Sequence, residues 1–341
     1  MGTPGSETVI SVKNLRKVFK TKIKKEGFDE SLKSLVRPEF REINAVSGID
    51  FEVPGGELLA FLGPNGAGKS TTIKMLTGIL HATSGSMSVL GFDPEKQRKN
   101  LSFRIGSVFG QKSQLWFHLP PLDSFRLLGA IYEIDNITLN KRISEIIELF
   151  EIEDIMNIPV RKLSLGQRMR CEFAASILHK PDIIFLDEPT IGLDIVVKQK
   201  IRELIARLNR EEKTTIFLTS HDIGDVEQLC SRAVIINHGR IVLDNSVKSL
   251  KYGYLHKKII DVKFDTMADR SRLDGLTITK ANGLAMKLEA DAKEDSIQEV
   301  MVRLMQAGNI VDVTISDIPL EKIIGDIFSD RRGSEDSGKD E

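Results

Sequence analysis

The chain has 341 residues, of which 41 % are hydrophobic and 28 % charged, ordinary values for a globular protein that folds in water. Its length predicts about two domains and is sufficient for a full hydrophobic core. The formal net charge of −1 gives no overall attraction to nucleic acid, so we expect no nucleic-acid partner.

The N-terminal part of the chain combines a short strand with a basic segment. Residues 1–7 are rich in Gly, Ser and Pro and are predicted to be disordered. Residues 9–12 read as a strand, and residues 15–19 continue into a turn. Residues 13–25 include seven basic side chains and no acidic one.

A helix is predicted within a basic insert at residues 20–43. Four apolar side chains fall at helical spacing before Pro38 stops the run: Phe28, Leu32, Leu35 and Val36. One interpretation is an amphipathic helix that docks on a membrane-embedded partner or on lipid headgroups. The other is a surface helix with an ordinary core-facing stripe.

Short apolar strands then alternate with amphipathic helices. The predicted strands are residues 45–52, 58–62, 86–90, 105–110, 183–186, 215–218 and 233–236. Apolar residues at helical spacing predict helices at 143–150 and 201–208. This alternation indicates an α/β domain over residues 8–245, with a mostly parallel sheet covered on both faces.

The pattern changes after Asp244. Residues 246–328 alternate short strands with two helical stripes, which predicts a small α+β accessory domain, with a ferredoxin-like arrangement as one possibility. We find no cluster there that suggests chemistry. The tail at 329–341 is polar and acidic, and it is predicted to be disordered.

Cysteine usage and hydropathy bear on the compartment. Cys171 and Cys230 have neither disulfide-framework nor metal-ligand spacing, which favours a reducing cytosol. We see no signal peptide, and no apolar run approaches the roughly 18 residues needed to span a bilayer. We expect a cytoplasmic protein, acting from the cytoplasmic face if it works at a membrane.

A glycine-rich loop lies between the strand at 58–62 and a helix start. It matches the phosphate-loop (Walker A) pattern G-x-x-x-x-G-K-[ST] and consists of Gly63, Pro64, Asn65, Gly66, Ala67, Gly68, Lys69, Ser70 and Thr71. Glycines let backbone N–H groups turn inward around phosphate oxygens, and the helix adds the positive end of its dipole. Lys69 offers a cation to the β- and γ-phosphates and Ser70 a hydroxyl to Mg²⁺. The loop predicts binding of a nucleoside triphosphate.

Acidic and histidine side chains follow two of the predicted strands. Asp187 and Glu188 end the strand at 183–186, in the Walker B arrangement. Asp187 would hold Mg²⁺ directly or through water, and Glu188 would polarise the attacking water. His221 follows the next strand and would sense the γ-phosphate. Loop carboxylates and single histidines are also common without such roles, so each gains weight only in combination.

The segment Leu163-Ser-Leu-Gly-Gln-Arg-Met-Arg170 precedes the Walker B strand by about 20 residues. Ser164 and Gly166 fall where a helix begins, so their hydroxyl and N–H groups form a second anion-binding site. The alternative is a capped helix with no further purpose.

The order of these motifs resembles the ATP-binding cassette (ABC) family over about residues 8–245. The motifs are the phosphate loop, Gln111, Leu163–Gln167, Asp187-Glu188, Gly192-Leu-Asp194 and His221. The resemblance implies a P-loop NTPase fold: a RecA-like core with an antiparallel β edge and an α-helical signature subdomain. It also assigns roles. Phe19 would stack on adenine, Gln111 would contact Mg²⁺ and couple to the transmembrane partner, and Asp194 would be the D-loop carboxylate.

Cassettes of this family work as head-to-tail dimers. The resemblance therefore implies that ATP and Mg²⁺ on one subunit are closed over by Ser164, Gly166 and Gln167 of a second subunit, either an identical chain or a paralogous cassette. Two features depart from the usual pattern. Leu165 replaces the first glycine of the LSGGQ signature, and the insert at 20–43 replaces a short turn.

More narrowly, the segment Gln111-Lys-Ser-Gln-Leu-Trp116 resembles the daunorubicin/viologen-type exporter ATPases, which pair with separate permeases. Trp116 and Phe117 would contact the permease, or else pack within the helical subdomain. We expect a peripheral protein on the inner face of the plasma membrane that powers export. An importer ATPase and a soluble non-transport ABC ATPase stay open, and the signature disfavours a P-loop kinase or GTPase.

Overall fold

The computed structural model describes residues 7–22, 40–110, 113–220, 222–253, 257–274, 276–291 and 296–330. The chain divides into two compact units, Met1–Asn245 and Ser246–Glu341. The helix expected at residues 28–36, the predicted site residues Gln111 and His221, and most of both predicted disordered ends lie outside the described residues.

The first unit begins with a three-stranded antiparallel sheet in the order β2-β1-β4. Its strands are β1 (Thr8–Lys22), β2 (Phe40–Pro54) and β4 (Ser84–Val89). The turn predicted after residues 15–19 is wrong, because β1 and β2 stay paired from Phe19–Ile43 out to Lys22–Phe40. Polar side chains in this stretch hide the period-2 pattern of a strand.

A six-stranded sheet forms the centre of the first unit, in the order β5-β6-β7-β3-β8-β9. Its strands are β3 (Leu58–Leu62), β5 (Ile105–Phe109), β6 (Ile183–Asp187), β7 (Thr215–Ser220), β8 (Arg232–Asn237) and β9 (Arg240–Ser246). The run from β5 to β8 is parallel. Phe51, Phe61 and Phe217 meet in its core with ring centroids 5.3–6.1 Å apart. The predicted parallel sheet is confirmed.

Helices connect these strands. They are α1 (Lys69–Leu76), α2 (Arg98–Ser102), α3 (Pro121–Ile131), α4 (Asn136–Phe150), α5 (Leu165–Ile177), α6 (Ile195–Glu212) and α7 (Ile223–Leu229). Helices α3, α4 and α5 contact one another and form a helical subdomain between β5 and β6. Within the described ranges, no helix is both long enough and apolar enough to cross a membrane.

The second unit is a four-stranded antiparallel sheet with helices. Its elements are α8 (Val247–Gly253), β10 (Lys257–Phe264), β11 (Thr277–Asn282), β12 (Ala285–Asp291), α9 (Ile297–Ala307), β13 (Ile310–Asp317) and α10 (Leu320–Asp330). The strand order β11-β12-β10-β13 matches a ferredoxin-like fold whose first helix is reduced to the 3₁₀ turn Arg270–Leu273. Ser329 and Asp330 belong to α10, so the tail predicted as disordered begins two residues too early.

Candidate functional site

The glycine-rich loop links β3 to α1 and is tightly enclosed by neighbouring backbone. A Cβ atom on Gly63 would lie 2.3 Å from the carbonyl oxygen of Ile236. Gly68 has φ +109°, and a Cβ there would lie 2.5 Å from the carbonyl oxygen of Ala45. Both positions therefore require glycine. Glycine at these positions lets the loop follow a backbone path that places its N–H groups near the start of α1.

Lys69 lies beneath this loop with only 5 % of its surface exposed. Its ammonium group donates hydrogen bonds to the carbonyl oxygens of Gly63 at 2.7 Å and Pro64 at 3.3 Å. The same group is 3.6 Å from the carboxylate of Glu188. A cation is thus held at the loop, where it could bind phosphate oxygens.

Ser70 and Asp187 meet at the carboxyl end of β6. The Ser70 hydroxyl donates to Asp187 Oδ1 at 3.1 Å, and the Thr219 hydroxyl donates to the same oxygen at 2.6 Å. A hydroxyl and a carboxylate are hard oxygen ligands of the kind that Mg²⁺ prefers beside a nucleotide phosphate. Ser70 and Asp187 would therefore suit a magnesium ion as ligands.

Glu188 has a left-handed backbone with φ +52°, which is unusual for a residue other than glycine. Such a conformation costs roughly 1–3 kcal/mol and persists only where surrounding contacts impose it. Here its N–H donates to the carbonyl of Thr219 at 3.1 Å and contacts the Thr219 hydroxyl at 3.2 Å. The backbone of Glu188 is therefore fixed by β7 immediately beside the phosphate loop.

These groups line one cleft of about 510 Å³. The predicted residues that line it are Pro64, Asn65, Gly66, Gly68, Lys69, Ser70, Thr71, Asp187 and Glu188. Ala45, Lys74, Phe109, Gly110 and Ile191 complete the lining. A cleft of this size, with two cations and two carboxylates, can accept a nucleotide with its phosphates on the loop.

The signature residues stand at the start of α5. Ser164 caps the helix by accepting the N–H of Gln167 at 3.2 Å, and the Gln167 side chain accepts the N–H of Ser164 at 2.9 Å. A Cβ on Gly166 would lie 2.9 Å from Val197, so this turn packs against the start of α6. Among the described residues, none of the three predicted signature residues lines the cleft.

Asp194 begins α6 by accepting the N–H of Val197 at 3.0 Å, which is an N-cap. A Cβ on the neighbouring Gly192 would lie 3.3 Å from a methyl group of Leu165, the residue that departs from the signature pattern. The predicted D-loop and signature are thus packed together within one chain. Leu165, Ile195 and Val196 are all exposed.

Phe19 stands in the β1–β2 ladder and is 37 % exposed. The ammonium of Lys17 lies 5.1 Å from the centre of its ring. Phe19 is not among the residues that line the cleft, although Ala45 of the adjacent strand β2 is.

A polar network beside the cleft escaped the sequence analysis. Buried Asp225 accepts the hydroxyl of Thr190 at 2.6 Å and pairs with Arg202 at 2.6 Å. Asp222 caps α7 and is 2.7 Å from Lys198; burial tends to raise the pKa of Asp222, but Lys198 and Arg202 outweigh it and lower that pKa. The only sequence signal was the polar run after β7, because the partners of its members lie on other elements.

Fold and cleft together define a P-loop nucleoside triphosphatase. Comparison with known proteins narrows this class. The model of the ABC transporter family matches residues 46–191. ABC transporter ATP-binding protein NatA of Bacillus subtilis (strain 168) is 34 % identical over 208 residues, which are 61 % of this chain and 84 % of NatA.

Two further matches bear on activity. The daunorubicin/doxorubicin resistance ATP-binding protein DrrA of Streptomyces peucetius is 35 % identical over 207 residues, 61 % of this chain and 62 % of DrrA. The solved dimer of the ATP-binding cassette MJ0796, in a post-hydrolysis state with ADP and Pi, has a TM-score of 0.58 and 26 % identity, covering 70 % of this chain and 98 % of MJ0796. The chain belongs to the ATP-binding proteins of ABC transporters and is an ATP hydrolase subunit of that type.

Proposed function

We propose that this chain powers export through separate membrane permeases and hydrolyses ATP as a head-to-tail dimer. One observation carries the dimer: the cleft at the phosphate loop has no lining from Ser164, Gly166 or Gln167 among the described residues. The N-terminus of α5 presents the positive end of a helix dipole, which suits an anion such as a phosphate. A second copy would bring that helix start to the open side of the cleft.

In this proposal the residues of the cleft share the work of hydrolysis. Lys69 releases the loop carbonyls and binds the β- and γ-phosphates, while Ser70 and Asp187 hold Mg²⁺. Bound there, Mg²⁺ would neutralise phosphate charge. Glu188 positions and polarises the attacking water from its fixed backbone, and Asp194 keeps α6 against the signature turn. From the sequence pattern we assign water and γ-phosphate contacts to Gln111 and His221, and adenine stacking to Phe19.

The export direction is supported by similarity to DrrA, whose name records resistance to daunorubicin and doxorubicin. Trp116, Phe117 and Leu119 are exposed apolar side chains just before α3. Such a surface fits a membrane permease that docks there. We place the protein on the inner face of the plasma membrane, in contact with that permease.

Glu188→Gln tests the ATPase role, because it keeps the shape of the site but removes the polarising carboxylate. We expect the variant to bind Mg-ATP, lose turnover and form a dimer in sedimentation experiments. Glu145→Gln, on the exposed face of α4, is the control and should behave as wild type. A Glu188→Gln protein with normal turnover that stays monomeric in ATP contradicts the proposal.

The same variant tests transport. We expect tagged Glu188→Gln, held in Mg-ATP and purified from detergent-solubilised membranes, to co-purify with an integral membrane permease. Recovery of a solute-binding protein as well would indicate import instead of export. Recovery of ribosomal or DNA-repair proteins without a membrane partner would leave only the ATPase.

A further inference from the structure

Glu172 is a buried acid in the middle of α5, eight residues beyond the signature Ser164. Only 3 % of its surface is exposed. Burial raises the pKa of its carboxyl group, and hydrogen bonds from Ser113 and Gln114 oppose that rise. A buried carboxylate destabilises a fold unless its oxygens are hydrogen-bonded. The partners of Glu172 therefore indicate what it does.

Both carboxylate oxygens are bound by the segment that follows β5. The Ser113 hydroxyl donates to Oε1, and the backbone N–H of Gln114 donates to Oε2 at 2.9 Å. The side-chain amide of Gln114 donates in turn to the carbonyl oxygen of Ser107 in β5. Glu172 thus joins α5 to a segment that is also fastened to the central sheet.

The same segment continues directly to the exposed apolar surface. Leu115 is buried, and the next two residues, Trp116 and Phe117, are exposed. The carbonyl of Phe117 accepts the N–H of Arg161, close to the start of α5. The segment from Ser113 to Phe117 is therefore held at two points. Glu172 of α5 binds its start, and the N–H of Arg161, shortly before α5, binds its end.

We infer that Glu172 is a positioning residue that makes the signature helix and the segment from Ser113 to Phe117 move as one body. When α5 shifts on ATP binding, this link carries the shift to the surface around Trp116. The inference rests on the proposed function, because it takes α5 as the helix that responds to nucleotide. Glu172 would thus be a residue outside the cleft that helps to couple ATP binding to the surface around Trp116.

Trp116 is the only tryptophan in the chain, so its fluorescence reports this segment alone. The full chain carrying Glu188→Gln is titrated with Mg-ATP while Trp116 emission and acrylamide quenching are followed. Glu172→Ala and Ser113→Ala are then added singly. Glu145→Ala, an exposed acid of α4, is the matched control. Calorimetry measures ATP affinity, and thermal melting measures stability, for each protein.

We expect an ATP-dependent change in Trp116 emission in the parent and in the Glu145→Ala control. Glu172→Ala should lose most of that change in emission while it keeps its ATP affinity. Ser113→Ala should lose part of the change, although it alters no residue of α5. Glu172→Gln, which can still accept the N–H of Gln114, should restore part of the change.

Three results overturn the inference. The first is an unchanged Trp116 response in Glu172→Ala and Ser113→Ala. The second is a lower melting temperature with a full response, which shows a merely structural acid. The third is a parent that binds ATP without any Trp116 response. Failure of the proposed function is a separate outcome, since it appears as a parent with normal turnover that stays monomeric in Mg-ATP.

Discussion

His179 lies just beyond the end of α5 with its ring stacked on Tyr132, the centroids 3.8 Å apart. Its Nε2 faces the carbonyl oxygen of Ile105 at 3.0 Å and so donates to it. The other ring nitrogen is buried without a partner among the described residues. Burial lowers the pKa of His179 to about 4, because the charged ring would lose its water.

This depressed pKa predicts acid sensitivity. The unfolded chain binds the proton near pH 6.5, so the contribution of His179 to stability is complete above that pH and declines as the pH falls toward about 4. The free energy of unfolding falls by roughly 2–3 kcal/mol over this pH range because of His179. We expect His179→Phe to melt at a lower temperature than wild type at pH 7 but to lose less on acidification to pH 5. Parallel pH profiles of the two proteins would contradict this assignment.

The sequence predicts those functional groups that are neighbours along the chain. The glycines of the loop, Lys69 and Ser70 follow one another in the chain, so a single motif predicts their meeting. Thr219 and Asp225 contribute hydrogen bonds that the sequence does not reveal, because those bonds depend on which strands and helices become neighbours.

Two capping boxes in the described part of the chain offer a matched test at the scale of elements. Ser164 caps α5 and Ser296 caps α9, each with a reciprocal bond from the third helical residue. Ser164→Ala and Ser296→Ala should each cost about 1 kcal/mol of stability. Only Ser164→Ala should also reduce ATPase activity beyond that loss, because in the proposed dimer its hydroxyl contacts the nucleotide of the second copy. Equal, full activities in both variants would leave Ser164 as a cap alone.

The pairing of β1 with β2 allows most of the basic insert at 20–43 to be removed while the paired strands are kept. Lys22 pairs with Phe40, so residues 23–39 can be replaced by Asn-Gly, a two-residue turn that suits antiparallel strands. We expect the shortened protein to keep its basal ATPase and to be lost from the membrane fraction, as the membrane-docking interpretation requires. Full recovery with membranes would favour the ordinary surface helix.

Element types were predictable where apolar runs are continuous, as in β3, β6 and β7. Element lengths were less so. The outer part of β1 consists of Lys20, Thr21 and Lys22, which pair with β2. Because all three are polar, the sequence shows no alternating apolar pattern there. The short helices α2 and α7 bury few side chains and give little periodic signal.

For the whole molecule, the alternation of strands and helices predicts a parallel α/β fold, and the motifs predict an ABC cassette; both are confirmed. The sheet order β5-β6-β7-β3-β8-β9 is not evident from chain order, since β7 pairs beside β3 across more than half of the first unit. The proposed completion of the cleft by another copy is likewise not evident from the sequence of one chain, because it would be a property of the assembly.

Complementation between two inactive variants tests that central claim most directly. Lys69→Ala disables the phosphate loop, and Ser164→Arg places a bulky cation at the exposed start of α5. In a head-to-tail dimer, an equal mixture gives one intact site in each heterodimer. We expect each variant alone to lack ATPase activity and the mixture to regain about a quarter of the wild-type rate, by two-fold symmetry. An inactive mixture of folded, associating variants would contradict the account.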